Sequence, residues 1–191
     1  MASVVISGDT SGSVTLSAPA VAGSSTQTLV AATGTLAPLV SGTAQATTSG
    51  TSKDFTDIPS WVKRVTVIFQ NVSTSGTSFL IIQIGSGSFI TTGYVGYSYL
   101  APGVRSVMST GFLLAPNLAA NSSINGSAVI NLINGNTWVE TGVVLDSSTS
   151  ILSSSQSAGN LALGGTLDRV RVTTVNGTDT FDAGTINIMY E

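Results

Sequence analysis

Apolar residues in this chain recur at every second position over short runs, and no 3.6-residue period persists beyond two turns, which confines the chain to β structure. The pattern is plainest at the end, where Ile186, Ile188 and Tyr190 fall on one face and predict a strand lying inside a sheet. Residues 62–70 and 79–84 read as strands buried on at least one face. Residues 93–99, 111–114, 127–132, 137–145, 161–163, 167–175 and 185–190 are further candidates. Turn residues punctuate these runs at Asn125-Gly126, Asn134-Gly135-Asn136, Gly164-Gly165 and Asn176-Gly177, and Asn-Gly is a strong hairpin signal because both residues tolerate positive φ. Pro59 places a turn before the strand at 62–70, with Trp61 expected in the core. Regular short strands separated by turns predict an all-β fold, an antiparallel β-sandwich or jelly roll.

The first 40 residues read differently. Val4-Val5-Ile6, then Val14 and Leu16 among hydroxyls, then residues 26–30, make three short strands with few large apolar side chains. Such strands cannot close a core alone. We therefore expect residues 1–40 to be a β-rich attachment or oligomerisation segment and residues 41–191 to be the sandwich, with 41–53 a polar linker or first edge strand. The need for a covering surface is also the first reason to expect a homo-oligomer.

Composition narrows the function classes. The 191 residues contain no Cys and no His, which removes disulfides, thiolate catalysis, the Ser-His-Asp triad and imidazole ligation. No catalytic residue, metal site or cofactor is expected, and the protein is not expected to be an enzyme. A net charge of −3 argues against nucleic acid as a partner. No apolar run approaches the roughly 18 residues that would cross a bilayer, so no membrane insertion is expected. The start lacks a basic region followed by an apolar stretch, so the expectation is a chain made in a cytoplasm without a secretory signal. Only 8% of residues are charged, against a typical value of about 25%, while 42% are hydrophobic. A chain with so little charge folds rather than staying disordered, and its surface must be built mainly from hydroxyls and amides.

Two stretches carry a family resemblance. Gly8-Asp9-Thr10-Ser11-Gly12-Ser13-Val14-Thr15-Leu16-Ser17-Ala18-Pro19-Ala20, running on to Ala32-Thr33-Gly34-Thr35, resembles an N-terminal element of tailed-bacteriophage tail-fibre and minor virion proteins. Ala44-Gln45, then Ser52-Lys53-Asp54-Phe55-Thr56-Asp57-Ile58-Pro59-Ser60-Trp61-Val62-Lys63-Arg64-Val65-Thr66-Val67, is similar to the opening of a C-terminal β-sandwich that recurs in such proteins, and the ending from Asp182 to Glu191 is similar to theirs. The resemblance implies a virion structural protein exposed on the particle. Residues 1–40 would engage other virion proteins, and assembly would be homo-oligomeric with a trimer preferred. On this reading it is a short fibre for host attachment, with a host-surface glycan or protein as ligand. The alternative is a capsid decoration or head-fibre protein that clamps capsid subunits.

Four aromatic residues are candidate ligand-binding groups: Tyr94, Tyr97, Tyr99 and Trp138. Exposed aromatic faces stack on sugar rings, whereas the plainer reading places alternate aromatics in the core or a subunit interface. Two acidic sets, Asp168, Asp179 and Asp182, and Glu140 with Asp146, have the atoms for glycoside hydrolysis, and Asp179 and Asp182 have those for calcium. The plainer reading is turn and edge-strand carboxylates that aid solubility. Arg169 and Arg171 share a strand face, either pairing with acids across a trimer or simply facing solvent.

Overall fold

The computed structural model describes residues 3–7, 11, 13–17, 37–100, 103–116, 118–148 and 152–191. Its contacts divide the chain into Met1–Leu36 and Ala37–Glu191. In the first unit β1 (Ser3–Ser7) and β2 (Ser13–Ser17) form an antiparallel hairpin; the strand expected at 26–30 lies outside the described residues.

The second unit carries β3 (Val40–Ser41), β4 (Gln45–Ala46), β5 (Ser52–Phe55), β6 (Arg64–Thr74), β7 (Leu80–Ser86), β8 (Ser88–Phe89), β9 (Val95–Leu100), β10 (Val104–Met108), β11 (Phe112–Ala115), β12 (Ile124–Asn134), β13 (Thr137–Asp146), β14 (Ser153–Ala162), β15 (Arg169–Thr174) and β16 (Phe181–Tyr190). The large sheet runs β10-β9-β14-β13-β12-β6-β16-β3, with β4 also beside β16. The small sheet runs β11-β7-β15-β5, with β8 on β7. Every pairing is antiparallel, and no helix occurs among the described residues. The fold is an antiparallel β-sandwich.

Alternation decides what each strand gives to the core. Val65, Val67 and Phe69 of β6, Ala128 and Ile130 of β12, and Ile186 and Ile188 of β16 face Ile82 and Ile84 of β7, Phe112 and Leu114 of β11, and Val170 and Val172 of β15 in one buried cluster. Burying each of the larger side chains contributes roughly 1.5–3 kcal/mol. As the alternation predicts, β16 lies inside the sheet, between β6 and the short strands β3 and β4.

Where the chain passes from β10 into β11 it crosses from the large sheet to the small one, and at that end the layers come unusually close. A Cβ on Gly159 of β14 would stand 2.9 Å from Phe112 Cδ1 and 2.8 Å from the Val95 carbonyl oxygen. The Ser98 hydroxyl donates directly to the Leu114 carbonyl at 3.1 Å, sheet to sheet. This explains why Ser98, Ser155, Ser157 and Gly159 stand where the layers close, while Leu161 fills the inner face of β14 further along.

Three local expectations are revised. Asn125-Gly126 does not turn the chain: it lies within β12, where Gly126 has φ 138° at a shift in register against β6, so the glycine serves a bulge. Trp61 is 40% exposed, because Ile58 and Val62 of the same turn take the inward places and the indole packs beside Tyr190 with ring centroids 5.9 Å apart. Strands β10 and the first part of β14 have no counterpart among the expected ones.

Candidate interaction face

The four candidate aromatics do not share a surface. Tyr94 precedes β9 and is buried. Its hydroxyl accepts from the Ile84 N–H at 2.8 Å and donates to the Ile90 carbonyl at 3.1 Å, and its ring meets Phe112 edge-on with centroids 4.9 Å apart. Burial pushes this phenol well above its ordinary pKa. Trp138 also points inward from β13, 2% exposed, with its indole nitrogen unpaired among the described residues. Both are core side chains.

Tyr97 and Tyr99 point the other way, because Ser98 between them faces the interior. Residues directly opposite in an antiparallel ladder lie on one face, so the register extends each tyrosine into a row across the large sheet. One row reads Val107, Tyr97, Ala158, Thr141, Val129, Thr66; the next reads Arg105, Tyr99, Gln156, Val143, Ser127, Ile68. On this outward face Val107 is 77% exposed, Val95 65%, Val143 60% and Tyr97 41%. Its only ionisable cation or carboxylate on β9, β10 and β14 is Arg105. A shallow depression of about 360 Å³ lies among Ser127, Val129, Thr141, Val143 and Gln156.

Size decides how to read this face. Four strands about 4.8 Å apart, each giving five residues at about 3.4 Å, make a face of roughly 300 Å² in plan, in which Val95, Tyr97 and Val107 are contiguous and Gln156 and Thr141 separate them from Val143. The whole eight-strand face, about 38 Å by 20 Å, approaches the roughly 800 Å² per partner of a standard interface. The outer edge of β10 is left open among the described residues, with one Arg, no Pro and no bulge to discourage pairing.

No two candidate carboxylates are brought together: Asp182 is exposed with no bonded partner among the described residues, and the others are engaged singly. Asp146 accepts from the Ser122 hydroxyl at 2.6 Å and the Ser123 and Ser148 amides; burial works against its ionisation, but these bonds outweigh it and hold the pKa low. Asp168 is held low by the Arg169 guanidinium at 2.7 Å. Asp179 accepts from the Ser78 amide and the Asn176 side chain. Glu140 is fully buried: Oε1 accepts from the Ser157 hydroxyl at 2.8 Å and Oε2 has no partner among the described residues. Burial raises its pKa to about 7, against the pull of the Ser157 bond. Glu140 and Asp146 lie six residues apart on β13, roughly 20 Å, too far for the 5–10 Å of a glycosidase pair. The arginines find partners within their own chain: Arg171 grips Asp54 through two bonds of 2.7 and 2.6 Å.

Sequence reasoning picked Tyr97 and Tyr99 but missed Val95, Val107 and Val143. The signal was there in alternation, but only the register shows that Val95 and Val107 flank Tyr97 and that Val143 lies on the same face two strands away. Comparison of the chain with protein-family models, with curated proteins and with solved structures found no match.

Proposed function

We propose that this chain is a non-enzymatic structural protein of a bacteriophage virion that works as a homo-oligomer, a trimer preferred, in a short fibre used for host attachment. The observation that carries the assembly is the outward face of the large sheet, where Val95, Tyr97 and Val107 stand together on β9 and β10 and Val143 is exposed two strands away, with almost no charge. A surface of this kind is stable in water when another copy covers it, and a closed cyclic assembly covers every copy alike. Support for the virion comes from the resemblance of residues 8–35 and 44–67 to phage virion proteins. Support for a non-catalytic role comes from carboxylates that are buried singly or occupied by neighbouring amides, hydroxyls and guanidinium groups.

Light scattering on the purified chain tests the assembly. A trimer would weigh three times 19.2 kDa, about 58 kDa, and a folded monomer that persists on dilution refutes it. Cryo-electron microscopy of the particle tests the position: threefold density in few copies at the tail supports the attachment fibre, whereas density repeated over the capsid lattice makes the protein a decoration or head-fibre protein instead.

A further inference from the structure

The outward face of the small sheet is built quite unlike that of the large one. Its cross-strand rows are Leu113, Ile81, Thr173, Ser52 and Gln83, Arg171, Asp54. Between them lies a groove of about 300 Å³. Ile81 lies beneath it, 1% exposed, and the exposed Val175 is among its lining residues.

The polar groups around this groove are held in place while keeping a free valence. Gln83 donates its amide N–H to the Thr110 carbonyl at 2.9 Å, which fixes the side chain and leaves Oε1 as an acceptor without a partner among the described residues. Thr173 donates its hydroxyl to the Thr51 carbonyl at 2.8 Å, so its oxygen can still accept. Arg171 spends Nε and Nη2 on Asp54 and lies 4.1 Å over the Phe89 ring, which leaves Nη1 as a pre-oriented donor. The Thr110 hydroxyl is buried and unpaired among the described residues.

We propose that this groove binds a neutral saccharide unit, its hydroxyls bonded by Gln83, Thr173 and Arg171 and its C–H face laid against the exposed side chain of Val175. Fixed donors and acceptors beside one exposed aliphatic side chain match a molecule that is polar around its rim and apolar on one face. Charge excludes the anionic choices: Asp54 cancels Arg171, and no lysine lines the groove. The volume admits one or two sugar rings. A monosaccharide has about a dozen heavy atoms, and at the per-atom efficiency of ordinary ligands its Kd is about 2 mM. A homo-oligomer would multiply such weak sites by avidity. This inference deepens the attachment reading and rests on it for its biological sense.

The test is saturation-transfer NMR on the full chain with methyl glycosides of glucose, galactose, mannose, rhamnose and N-acetylglucosamine at about 50 mM, well above that Kd. N-acetylneuraminic acid and inorganic phosphate serve as anionic probes. At least one neutral glycoside should give transfer; Thr173→Val should weaken it by about two- to tenfold, and Thr91→Trp, at the exposed rim, should abolish it with the thermal midpoint unchanged. Failure of every neutral glycoside, transfer confined to the anionic probes, or binding that survives Thr91→Trp each overturns the proposal. Light scattering on the same samples separates the two readings. An oligomer that ignores sugars refutes the groove alone, and a monomer that binds them refutes the assembly alone.

Discussion

Glu140 turns the interior of the sandwich into a measurable pH dependence. It sits on β13 facing inward, with Ile130 of β12 and Gly159 of β14 directly opposite and no ion-pair partner among the described residues. Gly142 keeps room for it, since a Cβ there would stand 2.8 Å from Glu140 Oε1 and 2.6 Å from Ser157 Oγ. The folded-state pKa is raised from 4.5 to about 7, so folding takes up a proton. The stabilising contribution is complete below pH 4.5, declines as pH rises, and is lost above about pH 7. Carrying the pKa from 4.5 to about 7, at 1.36 kcal/mol for each pH unit, is worth about 3 kcal/mol. Asp146 and Asp168 do not confuse the window. Their pKa values are lowered, so their contributions are lost only as pH falls below the ordinary carboxylate range. Urea unfolding at fixed protein concentration should therefore show the wild type losing about 3 kcal/mol between pH 4.5 and pH 8.5. Glu140→Gln cannot ionise and should be nearly flat over the same range. The variant should overtake the wild type at alkaline pH, by less than the full amount because the amide N–H groups go unpaired at a cost of about 1–3 kcal/mol. Parallel pH profiles for the two proteins would refute the reasoning.

Three further outcomes follow from the packing. Val107→Glu on the open strand β10 should shift the light-scattering mass towards the monomer while circular dichroism stays unchanged; an unaltered mass would place the subunit contact elsewhere. Tyr94→Phe leaves the buried Ile84 N–H without its acceptor, which should cost about 1–3 kcal/mol in urea unfolding. Gly159→Ala forces a methyl against Phe112 and the Val95 carbonyl and should destabilise by about 1–3 kcal/mol, seen as a lower thermal midpoint; an unchanged midpoint would mean that the two layers part easily at this end.

The β architecture was legible because period two is a property of neighbours along the chain. β6, β12, β13 and β16 announce themselves by alternation, and β7 by a near-continuous apolar run buried on both faces. The Ser153–Gly159 part of β14 does not, since its inward positions carry Ser155, Ser157 and Gly159. There the close approach of β11 selects for smallness, and smallness leaves no hydrophobic signal. β10 is similarly quiet, a two-layer edge with Val104 and Val107 both exposed.

Alternation by itself determined that the chain makes antiparallel strands, that the ending lies within a sheet, and that Ile186 and Ile188 look the same way. It did not determine which way was inward for the aromatics. Tyr94 and Trp138 went to the core, Tyr97 and Tyr99 to the outer face and Trp61 to a turn's outer side. A period states that two faces differ, whereas the face that gets covered depends on which strand or layer arrives there. That arrival, over separations such as the 117 residues between Asp54 and Arg171, also brought the small-sheet groove together and left Glu140 in the dry interior, where its carboxylate loses the water that would have kept its pKa ordinary.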